Sequence, residues 1–318
     1  MDSITQAAFG AVVAQCIAGR ELGPRAALLG AACGTLPDLD VVISYADPVA
    51  QMTYHRTWSH SLFWLSVATP VVWLLARWTV FWRKAGRMAL LAIWLSFITH
   101  PVLDAFTVYG TQMLLPFSDY PVSIGSVFII DLLVTLPLLA ALIAARKGQR
   151  TLWLQGSLVI VSAYLMLTLV VQQRLETGAI KTTGGNAASI KAIPAAFNPL
   201  RWRLLWVRDG QHCDQFVAAT GTATADGWQC YRQQRELLAS LSAHWPVERM
   251  QWFTHGFYAI NQVGGDVVLS DIRMGVEGFY IFRFVVGHEE QGSIVAVQAR
   301  QLPPRRPGWN DMQRAWGL

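Results

Sequence analysis

His55, His60, His100, Asp38, Asp40 and Asp104 are the residues of this chain best equipped to react. They fall in three short stretches, Leu36-Pro37-Asp38-Leu39-Asp40, His55-Arg56-Thr57-Trp58-Ser59-His60 and His100-Pro101-Val102-Leu103-Asp104. Neutral imidazoles and carboxylates are ligands for zinc, manganese or iron, and hard oxygen mixed with borderline nitrogen suits a hydrolytic metal centre. Zinc is the first expectation. A bound divalent ion would acidify water toward neutrality and polarise a scissile ester, leaving Asp38, Asp40 or Asp104 free as general base. Asp38 and Asp104 are the foremost catalytic candidates.

The spacings constrain how the six can meet. His100 and Asp104 are four apart, which puts both on one helical face. His55 and His60 are five apart, about 140° around an ideal helix. They converge only if the segment is irregular, with His55 in a loop and His60 at a helix start. Asp38 and Asp40 are expected on an extended piece, where side chains two apart share a face. Each residue has a plainer use: Asp38 as a cap after Pro37, a histidine as a hydrogen-bonded packing residue, Asp104 as a partner of His100 alone. Together, six ionisable groups at a membrane surface are costly to bury without a partner, and such groups default to function.

The membrane setting comes from composition. Of 318 residues, 53% are hydrophobic and only 14% charged, against about 25% charged in soluble domains. A wholly soluble protein and a disordered one are both excluded. A bilayer core takes about 20 apolar helical residues, and residues 61–82, 88–106, 124–145 and 152–171 reach or approach that length. Residues 4–18 and 26–36, rich in Ala and Gly, form a helical hairpin turning at 20–24 and packed through small residues. A cleaved signal peptide is not expected, because no basic region precedes the apolar run and Asp2 is acidic.

Cytoplasmic loops carry the excess of Lys and Arg. Arg20 and Arg25, then Arg77, Arg83, Lys84 and Arg87, then Arg146, Lys147 and Arg150 all fall on one side of this threading. The opposite connections hold a single basic residue, Arg56, and several acids. That side is expected to be extracytoplasmic, and the six His and Asp residues meet there. Asp131 falls inside the third span, where a charge costs about 2.5 to 3.5 kcal/mol. It needs a partner, either a ligand histidine that it orients or a structural bond to Tyr109 or Thr111. Asp2 is a weaker candidate for such a supporting role.

The chain divides into a helical membrane domain at 1–171, a linker or stalk at 172–193 and an extracytoplasmic α+β domain at 194–318. In the last, residues 201–207 and 279–287 read as strands, and 256–262 with 266–271 as a hairpin about Gly264 and Gly265. Residues 231–243 are the one good helix candidate. Residues 303–307 make a basic extended segment that could meet anionic headgroups. Cys213 and Cys230 lie where a disulfide would persist, although spacing alone leaves their pairing open. Cys16 and Cys33 are small packing residues of the hairpin.

At these positions the sequence resembles a known family, the YdjM-like inner-membrane metal-dependent hydrolases, described as LexA-binding and membrane-associated. The likeness rests on Met1-Asp2-Ser3-Ile4-Thr5-Gln6 and on the Asp and His motifs above. It extends through Tyr109-Gly110-Thr111, Pro116-Phe117-Ser118-Asp119 and Phe128-Ile129-Ile130-Asp131. In the outer domain it continues at Phe197-Asn198-Pro199-Leu200-Arg201-Trp202-Arg203 and Val268-Leu269-Ser270-Asp271-Ile272-Arg273-Met274-Gly275. The resemblance implies a membrane-bound hydrolase whose metal is held by Asp38, Asp40, His55, His60, His100 and Asp104. Many relatives carry His where this chain has Gln6, a poor zinc ligand, so the site is one donor short at this end or uses Asp2. The LexA association does not carry over, because the large domain is placed away from the cytoplasm.

The expected function is therefore hydrolysis of an ester or phosphoester of a lipid or lipid-linked substrate at the outer face of a bacterial inner membrane. A proton or cation relay through Asp131, Asp104 and His100 is weaker, for want of a repeat. A noncatalytic metal-stabilised scaffold is the third possibility. A serine nucleophile at Ser59 or Ser61 lacks the surrounding Gly-x-Ser-x-Gly elbow. Nucleic acid is disfavoured, since the basic clusters follow the positive-inside pattern and no phosphate-cradling glycine loop follows a strand.

Overall fold

The computed structural model describes residues 1–145, 150–303, 308, 309 and 313. The basic residues Arg146 and Lys147 and most of the 303–307 segment lie outside the described residues. The chain packs as two compact units: Met1–Ile43 with Arg56–Thr168, and Ser44–His55 with Leu169–Leu318.

The first unit is helical. Helix α1 (Ser3–Leu22) starts at Asp2, whose carboxylate accepts from the amides of Ile4 and Thr5, and stops at Gly23, where φ is +62°. Helix α2 (Arg25–Thr35) folds back along it. Three glycines let the pair touch: a Cβ on Gly10 would lie 2.2 Å from the Gly30 carbonyl oxygen, and one on Gly34 would lie 2.4 Å from that of Gln6. Any side chain would wedge the hairpin open, which is why small residues line such seams.

Further along, α3 (Pro48–Tyr54) belongs to the second unit and α4 (Leu62–Trp78) to the first. Ser61 caps α4 by accepting from the Trp64 amide. Helix α5 (Arg87–Ala105) is the centre of the first unit: Ala89, Ala92, Ile93 and Phe97 pack with Ala14, Ala18, Leu29 and Cys33. Helices α6 (Leu132–Ala144) and α7 (Arg150–Thr183) follow.

Among the described residues two helices are long and apolar enough to cross a membrane, α5 and Thr151–Thr183 of α7. A third would be the pair Pro48–His60 and Leu62–Trp78, bent by 56°. The expected third span at 124–145 is shorter than read. Asp131 does not lie within a helix; it caps α6, accepting from the Leu133 amide. Gly125, at φ +76°, and the bonds from Ile124 and Ser126 to the carbonyls of Ala105 and Phe106 hold the preceding segment as a loop. Over the stretch read as a linker or stalk, α7 continues to Thr183 and is followed by Gly184, where φ is +68°.

The second unit carries two four-stranded antiparallel meanders. One is β1 (Ile190–Ala195), β2 (Asn198–Arg208), β3 (Gln211–Ala218) and β4 (Gln229–Arg232), in that order. The other is β5 (Tyr258–Val263), β6 (Asp266–Asp271), β7 (Arg283–Glu290) and β8 (Ser293–Gln301). The β5–β6 hairpin turns at Gly264 and Gly265, both at positive φ. The helix expected over 231–243 is displaced: residues Arg235–Leu241 form a 3-10 turn and α8 spans Trp245–Phe253. Pro246 explains the shift, since its fixed φ suits the first turn of a helix and bars the interior of one. Cys213 and Cys230 face each other across β3 and β4 and are bonded.

The two resembling motifs of the second unit meet through Arg203. Its guanidinium donates to Asp214 at 2.9 Å and to the carbonyls of Ile272 and Gly275 at 2.9 and 2.6 Å. Gly275 sits at φ +112°, and a Cβ there would meet the Phe279 carbonyl oxygen at 2.3 Å. The resembling stretches thus fix one loop rather than build a site.

Candidate metal centre

Four side chains from three parts of the first unit converge. Asp38 comes from the 3-10 turn Pro37–Val42, His60 from the 3-10 turn Trp58–His60, and His100 and Asp104 from successive turns of α5. His60, His100 and Asp104 are buried, and the Asp38 side chain is 17% exposed. Each offers one ligand atom, and the four atoms lie within 4.8 Å of one another.

The separations have a definite shape. The two Nε2 atoms are 3.0 Å apart, each is 3.4 Å from Asp38 Oδ1, and Asp104 Oδ2 lies 3.2 Å from His60 and 3.5 Å from His100. The sixth edge, between the two carboxylate oxygens, is within 4.8 Å; these five average about 3.3 Å, and a regular tetrahedron of that edge would put its centre about 2.0 Å from each corner. That is the length of a zinc bond to histidine nitrogen or carboxylate oxygen.

The hydrogen-bond network assigns the tautomers. His100 Nδ1 is 2.7 Å from the Gly34 carbonyl oxygen, which can only accept, so Nδ1 carries the proton. His60 Nδ1 is 2.9 Å from Ser59 Oγ, whose own proton goes to Asp40 Oδ2 at 2.6 Å. Nδ1 of His60 is therefore a donor as well. Both Nε2 atoms then present lone pairs to each other and to two carboxylate oxygens. Asp104 Oδ2 is fully buried and receives no hydrogen bond. Four acceptor atoms facing one point could hold a cation there, and the donor set fits a divalent metal ion.

The other oxygen of Asp104 is held separately. Oδ1 meets the α-amino group of Met1, the Gln6 amide at 3.0 Å and the Arg56 guanidinium at 3.4 Å. Arg56 lies 5.0 Å above the Tyr109 ring, donates to Thr107 Oγ1 at 3.3 Å and adopts φ +66°. That backbone conformation is uncommon for a side chain of its size and marks a constrained turn.

The remaining expected residues are placed otherwise. Asp40 is not among the four. Its segment is a 3-10 turn and not extended, so residues two apart point about 240° apart, and its carboxylate accepts from Ser59 and the Arg56 amide. His55 is not among them either; it stands at the C-terminal cap of α3, in the second unit. Asp131 bonds Tyr164 at 2.7 Å, not Tyr109, Thr111 or a ligand histidine. Asp2 caps α1, and Gln6 bridges Asp104 and the His100 carbonyl. Sequence reasoning weighed Ser59 only as a nucleophile and gave Arg56 no role at the site. The signals were present, a lone base among acids for one and adjacency to His60 for the other.

A family model described as YdjM inner membrane protein matches residues 1–175, a stretch that contains all four converging residues. The chain is also similar to an uncharacterized protein, YfhP, of Bacillus subtilis (strain 168), at 28% identity over 147 residues. That likeness covers 44% of this chain and 43% of the relative's length. No solved structure matches. With more than half of its length matched, the chain belongs to the YdjM inner membrane protein family.

Proposed function

We propose that this protein is a membrane-bound metal-dependent hydrolase acting on an ester or phosphoester of a lipid or lipid-linked substrate at the outer membrane–water interface. One observation carries the reading: ligand atoms of Asp38, His60, His100 and Asp104 lie within 4.8 Å of one another, with each ring Nδ1 engaged elsewhere and each Nε2 turned to the cluster. A divalent ion bound there supplies Lewis acidity, polarising an ester or phosphoryl oxygen and acidifying water. His60, His100 and Asp104 would hold it. Catalytic zinc sites keep three protein ligands and an open position. Asp38, the most exposed of the four and carried on a short turn, is suited to leave that position and take a proton from water as general base. Arg56 offsets the charge of Asp104, while Ser59 and Asp40 keep the His60 ring in its tautomer.

The Cys213–Cys230 bond supports an extracytoplasmic second unit, because disulfides persist in oxidising compartments. The loops rich in Lys and Arg then face the cytoplasm. A scaffold reading is favoured by one feature, the fourth protein donor, since structural zinc sites are closed.

Elemental analysis and turnover of a chromogenic ester and of bis(p-nitrophenyl) phosphate separate the two. A hydrolase holds stoichiometric metal, and Asp38→Asn keeps the metal but loses at least about 100-fold in turnover. A scaffold turns nothing over, and chelation lowers its melting temperature. A folded wild type without metal would overturn both.

A further inference from the structure

The geometry points to a hydrocarbon-chain groove beside the metal centre, formed by Trp58, Ser59, Trp64, Leu65 and Ala68. The inference deepens the hydrolase reading and rests on it for the chemistry at the headgroup end.

The groove lies wholly in the first unit and runs along the start of α4. The indole rings of Trp58 and Trp64 pack on each other, centroids 5.7 Å apart, and line it together with Leu65 and Ala68. Ser59 is the one lining side chain that carries an oxygen, and that hydroxyl bonds His60 Nδ1 and Asp40. The apolar hollow is therefore one hydrogen bond from a ring that faces the candidate metal position.

The surface around it is apolar as well. Trp58 is 56% exposed, and α4 beyond the groove shows Val67, Val71, Leu74 and Leu75 outward. On the segment that carries Asp38, Leu39, Val41, Val42 and Ile43 are all exposed. Contiguous apolar exposure of this kind marks a membrane or ligand contact, and tryptophan favours the level of the lipid headgroups. The groove is continuous with the exposed side of a candidate span, so its occupant is an acyl or prenyl chain of a membrane lipid. A chain seated there brings the bond next to the headgroup toward His60.

The test uses the full-length protein in vesicles of phosphatidylethanolamine and phosphatidylglycerol doped with a phosphatidylglycerol bearing a diazirine at the end of one acyl chain. After photolysis, the label is mapped by mass spectrometry. The expected result is label concentrated on residues 58–68 and displaced by excess unlabelled lipid. Ala68→Trp should reduce it about tenfold, the equivalent of roughly two chain methylenes losing contact. Metal content should stay unchanged in that variant, and Leu74→Trp on the same helix should label as wild type. Should Ala68→Trp lose its metal, Ala68→Leu gives the same reading with less added bulk. Label spread evenly along α4, or insensitive to both Ala68 substitutions, would mean ordinary annular lipid and overturn the groove. Labelling is independent of turnover. Focused label without hydrolysis keeps the groove and sinks the hydrolase reading; hydrolysis with diffuse label does the reverse.

Discussion

The two units bury ionisable groups in opposite ways. In the second unit each buried charge has its complement: Arg203 with Asp214, Arg273 with both oxygens of Asp271, and His212 with Gln233, Glu277 and Tyr280. Cationic groups there meet carboxylates directly, so the charges balance between protein side chains. In the first unit two imidazole nitrogens and two carboxylate oxygens meet with no donor between them. Buried polar residues alone do not mark a site, because a satisfied network rigidifies a fold. The mark is a cluster of acceptor atoms that could hold a metal ion.

That contrast can be broken by substitution. The largest effect is expected from His100→Ala, which should abolish stoichiometric metal in elemental analysis while membrane insertion persists, since no apolar span changes. Retained metal would show that the convergence is not the binding site. Arg203→Ala should do the converse. It leaves Asp214 buried without its partner and should cost about 3 to 5 kcal/mol in the second unit, read by thermal unfolding, with metal content unaltered.

A smaller effect sharpens the tautomer assignment. Ser59→Ala removes the acceptor of the His60 Nδ1 proton and should weaken metal affinity by about 10- to 100-fold in a chelator competition. Wild-type affinity would mean that Asp40 alone orients the ring.

The smallest concerns the one lysine on β1. Burial, reinforced by Arg273, lowers the Lys191 ammonium from its ordinary value to about 8, with Glu176 and Asp271 opposing the shift. The unfolded chain then binds more protons between about pH 8 and 10.5, so folding stability rises with pH across that window. Lys191→Met should flatten the rise, by roughly 1 kcal/mol given its partly exposed flank.

How far these features could be read in the chain depends on what decides each one. The i, i+4 spacing of His100 and Asp104 needs only helical periodicity, and their side chains do meet. Whether Asp38 and Asp40 both serve turns on whether 37–42 is extended or a 3-10 turn: an extended piece puts both on one face, and a 3-10 turn separates them. Asp131 misled because hydropathy sees only that Ile129 and Ile130 continue the apolar run. A carboxylate ready to cap a helix is a local signal that outweighs it. The β5–β6 hairpin was legible from its glycines, whereas β1, β3, β4 and β8 depend on pairing between segments that carry no strong period of their own. Gly34 gave no sign of serving His100, because a backbone carbonyl has no signature in sequence.

The glycine seam between α1 and α2 has a consequence for biogenesis. The carbonyl that fixes His100 belongs to Gly34, on the N-terminal hairpin, while His100 itself arrives with α5, after another hairpin and loop have been made. No early segment carries a complete ligand set, so an ion cannot be captured until the later helix has docked against the first pair. An ion held there would rivet the beginning of the chain to its middle. Metal supply during insertion would then govern how much of the protein matures, and chelation would release the N-terminal hairpin before anything else.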